Sequence, residues 1–301
     1  GAISLVLVCN LSFAGQAETK QTKTPGNTAW KDSILKARKQ KDEEFKHSPT
    51  SPMAGVKRLR VKAGEQTFII EKNGHITLSD NKNRDAKFSL FQNGGKWVWP
   101  SLDPAVTCRA GDKVLKPGEQ LADRVTFKAG RFTLPVYPAG SDLTVLVFDP
   151  ERKEIKEFSH LLYFPPDPEF AVQAAIDRFA NIKKVTVLTS RSLEKTFYRF
   201  AKIRFSLKGK ELALTAFKFS LSGEGSDILF IPFMDKTSAA ETYGGGRFLE
   251  IHEPFGDTFI LDFNLCFNPL CNYAPVYNCA VPPRENILDI PVKAGEKTYP
   301  H

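Results

Sequence analysis

Methionine is almost absent from this chain of 301 residues, at 2, and histidine and cysteine are scarce at 5 each. The histidines are scattered, with His301 terminal, and no H-E-x-x-H pair exists to seat a catalytic zinc. No G-x-S-x-G or S-x-x-K stands in a setting that would activate a serine. No C-x-x-C occurs; Cys266, Cys271 and Cys279 have His252 as their nearest histidine, so a zinc site lacks the needed spacing. No metal and no cofactor is therefore expected. A run of about 20 apolar residues is also missing, so no segment reaches membrane-spanning length. No basic face interleaved with aromatics marks a nucleic-acid surface. Neither a 34- or 40-residue repeat nor a low-complexity tract beyond one short linker is present.

Large rings are plentiful, with 24 Phe against 7 Tyr, enough to fill substantial cores. The net charge of +8 is unevenly spread. Between Glu18 and Lys62 there are 12 Lys/Arg against 5 Asp/Glu; from Ala63 onward the balance is 30 against 29. A basic leader on a neutral body suits weak contact with an anionic membrane surface, although its plainer reading is a solvated spacer and helix face.

Ala2 to Phe13 is uncharged and apolar, too short to span a membrane, and fits the core of a secretory signal. Ser12-Phe13-Ala14 and Gly15-Gln16-Ala17 both place small residues where the peptidase reads. Residues 1–17 are thus expected to be a leader, truncated at its start, and the protein to be exported to the periplasm or beyond. Cys9 raises lipid anchoring as the alternative, but Val6-Leu7-Val8 lacks the small residue that precedes an acylated cysteine.

A polar linker is expected over 18–28, and a helix with its connection over 29–54. Thr28 serves as the expected N-cap, Trp30, Ile34 and Phe45 as the apolar anchors, and Ser48-Pro49 ends the pattern. From Val56 the period changes to short alternating runs between glycine turns, which predicts a small β module over 55–162. Val56–Val61 and Thr67–Glu71 flank Ala63-Gly64-Glu65 as a hairpin, and Val125–Phe127 and Arg131–Leu134 flank a second. Tyr163 to Pro168 (YFPPDP) cannot sit in a helix or central strand and marks the domain boundary. Periodicity does not decide Glu169–Phe179. The last domain, 163–301, carries the longest strands, with Phe197–Leu207 and Glu211–Phe219 as a hairpin. Two small β-sandwich or barrel-like domains preceded by one helix are the expected architecture, a mainly β chain.

Several motifs are more specific. They include Phe233-Met-Asp235-Lys-Thr237-Ser238, Glu241-Thr-Tyr243-Gly244-Gly-Gly246-Arg247, Asp262-Phe-Asn264, and Phe267-Asn268-Pro269-Leu-Cys271-Asn-Tyr273. Tyr277-Asn-Cys279, Pro282-Pro283-Arg-Glu285-Asn286 and Lys293-Ala-Gly295-Glu296-Lys297 complete the series. Together with YFPPDP and the Trp30 helix, this series resembles domain of unknown function 1684, in a longer form with an extra N-terminal β module. The chain departs from that pattern at Leu265 and Cys266, where a polar or basic residue and a small one are expected. The resemblance brings no established activity.

The three glycines at 244–246 are not a phosphate loop, because Arg247 and a strand follow instead of Lys-Ser/Thr opening a helix. They read as a bulge or tight turn, or as a backbone concavity holding an anion with Arg247. Asp262 and Asn264 are predicted to share one face of a strand and to converge with Asn268 near Glu285 and Asn286. The candidate ligand-binding set is Asp235, Thr237, Tyr243, Arg247, Asp262, Asn264, Asn268, Glu285 and Asn286; its plainer reading is loop-stitching hydrogen bonds. Cys271 and Cys279, separated by seven residues in a loop, are expected to form a disulfide in an oxidising compartment. The leading functional expectation is a non-catalytic domain that binds a small ligand or partner. A hydrolase using Asp235 with Glu250 or Asp262 with Glu285 is the alternative, and a structural envelope component a further one.

Overall fold

The computed structural model describes residues 26–190, 194–223, 225–253 and 256–300. The expected leader at 1–17, Cys9 and most of the 18–28 linker lie outside the described residues. The chain is mainly β, with one N-terminal helix and antiparallel sheets. The described residues divide by contact into two units: residues 45–158, and residues 26–44 together with 159–300. The division falls between Phe158 and Ser159, and the first part of the helix belongs with the C-terminal unit.

Helix α1 runs Thr28–His47. Its N-cap is Asn27, one residue before the expected Thr28: the Asn27 side chain accepts the Trp30 N–H at 2.7 Å. Trp30 and Ile34 are buried within the C-terminal unit, and Phe45 within the first module, where its ring meets Phe158. No described helix is long and apolar enough to cross a membrane.

The first module contains β1 Gly55–Val61, β2 Thr67–Lys72, β3 His75–Ser79, β4 Ala86–Asn93, β5 Lys96–Val98, β6 Thr107–Ala110, β7 Lys113–Leu115, β8 Val125–Ala129, β9 Phe132–Ala139 and β10 Asp142–Phe148. A sheet in the order β1-β10-β9-β8-β6-β7 and one in the order β3-β2-β4-β5 share a core in which Phe88 stacks on Phe127 at 4.2 Å and Trp99 meets Phe127 edge-on. The hairpin expected between β1 and β2 does not form. β1 spends its hydrogen bonds on β10, pairing Val61 with Leu143. Asp142 then accepts the Ala63 N–H at 3.0 Å, and the turn carries the chain across to the other sheet. The β8–β9 hairpin forms as expected.

The C-terminal unit contains β11 Ala171–Leu188, β12 Glu194–Leu207, β13 Lys210–Lys218, β14 Ile228–Phe233, β15 Arg247–His252 and β16 Thr258–Asp262, in the order β15-β14-β13-β12-β11-β16. The stretch that periodicity left undecided opens β11, which forms a long hairpin with β12, bulged between Arg178 and Lys183. Alternation sends Ala201, Ile203, Phe205 and Leu207 of β12 inward, to meet Leu229, Ile231 and Phe233 of β14. Leu288, Ile290, Val292 and Ala294, from a segment with no ladder of its own, close this core. On the opposite face Phe197 stacks on Phe230, which also meets Phe219 and Phe248.

Candidate functional site

The positions 30, 34, 38, 41 and 45 recur at helical spacing, so one stripe of α1 carries Trp30, Ile34, Arg38, Lys41 and Phe45. Two of these are cations on an otherwise apolar stripe, and each therefore needs partners where the helix is buried. Lys41 forms an ion pair with Glu296. Glu296 is 1% exposed and also accepts the Tyr273 hydroxyl at 2.6 Å and the Asn268 backbone N–H at 2.7 Å. At the start of the helix, Trp30 Nε1 donates to Asp262 at 2.8 Å. Burial raises the Asp262 pKa above the usual carboxylate value, against the opposing hydrogen bonds from Asn264 and Trp30.

Arg38 is treated differently. Its two terminal nitrogens donate to the backbone carbonyls of Phe164 and Asn264, at 2.8 and 3.4 Å, and its guanidinium lies over the Tyr163 ring. Its buried Nε has no hydrogen-bond partner among the described residues. Burial lowers its pKa, with Tyr163, Cys266, Glu296 and Asp262 pulling the other way from a distance. Two turns on, the buried Oε2 of Glu44 likewise has no partner among the described residues, and burial raises that carboxyl's pKa. Both side chains line an open cleft whose other walls include Ile34, Ala37, Tyr163, Asn264, Leu265, Phe267 and Glu296.

The nine residues singled out from the sequence fall into separate groups. Arg247 and Asp235 form an ion pair at 2.8 Å, each side chain 1% exposed, on the inner side of the sheet. Arg247 also donates to the carbonyls of Val292, Ala294 and Glu296, and Asp235 accepts the N–H groups of Thr237 and Val292 together with the Thr237 hydroxyl. The pair therefore fastens the segment that ends in Glu296. Gly246 permits the approach. Its φ is +85°, and a Cβ there would lie 2.5 Å from the Phe233 carbonyl. The 244–246 run is thus a tight turn, closed by Gly246 N–H to the Tyr243 carbonyl at 3.0 Å.

Strand β16 stops at Asp262, so Asp262 and Asn264 do not share a strand face as expected. Asp262 instead caps a short 3₁₀ turn, accepting the Asn264 N–H at 2.9 Å. Asn264 braces the Pro-rich boundary by exchanging two hydrogen bonds with the Asp167 backbone. Glu285 is exposed and pairs with Arg199 at 3.2 Å. Asn286, fully buried, lies on the inner side between β13 and β14. Tyr243 faces Cys271 rather than the cleft. Of the nine, Asn264 alone lines the cleft, with Asp262 and Asn268 directly behind its walls.

The protein-family model described as "Protein of unknown function (DUF1684)" matches residues 156–297. An uncharacterised protein from gene locus rrnAC0354 of Haloarcula marismortui, solved by solution NMR, is 35% identical over 50% of this chain and 83% of its own, with a TM-score of 0.41. The chain belongs to this family. No curated protein matches it. The matched residues of this DUF1684 member supply Tyr163, Asn264, Leu265, Phe267 and Glu296 to the cleft, while the α1 wall lies outside them.

Arg38, Lys41 and Glu44 escaped the sequence reading, and Tyr163 and Glu296 stood there only within motifs, not as site residues. The available signal was charge at positions 38 and 41 on the stripe defined by Trp30, Ile34 and Phe45. The two loop cysteines also differ from expectation. Cys271 and Cys279 are free thiols here. They lie side by side, with the Cys279 sulfur accepting the Cys271 N–H at 3.2 Å and the Cys271 sulfur accepting the Tyr243 hydroxyl at 3.5 Å.

Proposed function

We propose that this protein is an exported, non-catalytic binding protein whose C-terminal unit holds a small amphipathic anion in the cleft beneath α1. The observation that carries the reading is Arg38. A guanidinium that lines a cleft, meets only two neutral carbonyls and the Tyr163 ring, and keeps one buried N–H unpartnered has both charge and donor left for an anionic group. Glu44 Oε2, on the same cleft, is an acceptor for a donor group elsewhere on the ligand. Ile34, Leu265 and Phe267 offer the apolar part of the ligand its contacts. Leu265 is one of the two positions at which this chain departs from the pattern it resembles, so its cleft is more apolar than the resemblance implies. Asp262, Asn268, Asp235 and Arg247 serve as the frame that fixes the walls. Export to the periplasm or beyond is supported by the apolar run from Ala2 to Phe13 with its small-residue cleavage sites, and the basic stretch beyond it suits a lipid surface.

The test is a thermal-shift and calorimetric screen of small carboxylates, amino acids and organic phosphates against the full chain. A subset should raise the melting temperature of the wild type. Arg38→Gln should weaken that subset by at least about tenfold, the loss of one hydrogen bond to a charged group. A ligand that binds Arg38→Gln as tightly as wild type would sink the proposed site.

A further inference from the structure

The loop from Cys271 to Cys279 crosses the end of the long β11–β12 hairpin. Thr189 bridges to Ala280, Ser190 N–H donates to the Cys279 carbonyl at 2.8 Å, and Cys279 N–H donates to Ser190 Oγ at 3.1 Å. This lacing fixes the two sulfurs in different surroundings. Cys279 is 8% exposed, whereas Cys271 is only half-buried and can be reached from solvent. The Tyr243 hydroxyl donates to the Cys271 sulfur at 3.5 Å, and the Cys279 sulfur lies beside it, accepting the Cys271 N–H at 3.2 Å. Hydrogen bonds to a sulfur favour its thiolate, which is the nucleophilic form.

We propose that Cys271 and Cys279 form a peroxide-reactive dithiol site in which Cys271 is the attacking sulfur and Cys279 the resolving one. In the first step the Cys271 thiolate attacks the terminal oxygen of a hydroperoxide. An S–O bond forms, the O–O bond breaks, and the departing alkoxide takes a proton to leave as alcohol. Cys271, now a sulfenic acid, has lost two electrons and the peroxide has gained them. In the second step the Cys279 sulfur attacks the Cys271 sulfur, an S–S bond forms, and hydroxide leaves as water with the proton that Cys279 carried. Two thiols and one hydroperoxide thus give a disulfide, an alcohol and water. A dithiol reductant reverses the change by exchange.

The division of labour follows from environment. The Cys279 hydrogen bond, opposed by burial and helped by Tyr243 and Ser190, lowers the Cys271 pKa to about 7. The same contact with Cys271, together with burial, raises that of Cys279, so the proton of the pair resides on the resolving sulfur. Burial pushes Cys108 up to about 12 and Cys266 to about 11, which leaves both inert at neutral pH. No histidine base is required, because the Tyr243 hydroxyl donates to the sulfur that carries the charge.

The experiment uses the reduced full chain. Iodoacetamide alkylation followed against pH should label Cys271 first, with a midpoint near 7. Tyr243→Phe should move that midpoint up toward the ordinary thiol value of about 8.5. Hydrogen peroxide should remove two hydrogens from the intact mass, and peptide mapping should place the link between Cys271 and Cys279. In Cys279→Ser the reaction should stop at a sulfenic acid trapped by dimedone. A wild-type alkylation midpoint at the ordinary value, or peroxide oxidation of Cys271 without the link, overturns the proposal. Both of these readouts come from the wild type and do not depend on a variant folding.

Discussion

Glu250 and Arg247 lie three residues apart on β15 and illustrate how alternation assigns opposite fates to charged side chains. Arg247 points with Leu249 to the inner side, where Asp235 and three carbonyls receive it. Glu250 points with Phe248 to the face carrying the Phe230 ring, and burial there pushes its carboxyl up to about 7, opposed by His252 and Lys41. The two carboxylates considered as an acid–base pair, Asp235 and Glu250, therefore serve different faces of the sheet. The pH consequence has a definite sign. Below the ordinary value of 4.5, Glu250 is neutral in both folded and unfolded chains, and its contribution to stability is fully present. As pH rises through about 7 the folded protein must ionise a buried acid, and that contribution is lost. Urea unfolding at pH 5 and pH 8 should show wild-type stability falling relative to Glu250→Gln by on the order of 2 kcal/mol. Parallel curves for the two proteins would contradict the assignment.

Between elements, the weakest seam in the six-stranded sheet of the C-terminal unit is β13 against β14, which share the single ladder pair Phe217 and Phe230. Asn286 fills the gap with its amide. Its Oδ1 accepts the Thr215 N–H at 2.7 Å, and its Nδ2 donates to the Thr215 and Pro232 carbonyls at 2.9 and 2.8 Å. Its own backbone carbonyl accepts the Met234 N–H. A side-chain amide presents one donor group and one acceptor, as a peptide does, so this residue replaces a missing rung of the ladder. Asn286→Ala should leave three buried backbone groups unpaired and cost about 3 kcal/mol, read as a lower denaturant midpoint with an unchanged slope. Asn286→Asp should fare no better, since it removes the donor and adds a buried charge. Asn286 stood among the candidate ligand residues because asparagine in a Pro-Pro-Arg-Glu-Asn loop reads as a polar contact. The seam it closes lies over 50 residues away in sequence and becomes visible only once β13 and β14 are placed.

At the scale of the whole chain, the first module carries its own two-sheet core, from Leu59 to Val147. The C-terminal unit, by contrast, is discontinuous and takes Trp30, Ile34, Arg38 and Lys41 from α1. Residues 45–158 expressed alone should unfold cooperatively on heating, followed by near-ultraviolet circular dichroism. Residues 159–301 alone should be strongly destabilised, because Glu296 and Asp262 then lose Lys41 and Trp30. Removing one partner of a buried ion pair typically costs about 3–5 kcal/mol. A C-terminal fragment as stable as the full chain would refute this dependence on the helix.

Alternation in β12 and β14, the breaks at Gly and Pro, and the ordered motif series from Asp235 to Lys297 were enough to establish from the sequence a mainly β chain, its helix and its family. These are local properties, written at period two or in contiguous residues. The pairing of β1 with β10, the end of β16 at Asp262 and the partners of Asn286 were decided by tertiary structure, because each depends on which distant backbone groups compete for the same hydrogen bonds. The cleft belongs to the same class. Its two unmet groups sit on a helix that, as a sequence, displays only a sparse stripe. Arg38 and Glu44 become distinct from the other charges of that helix only when Asn264, Leu265 and Glu296 are brought against them, since being unpartnered is a property of an environment and not of a residue.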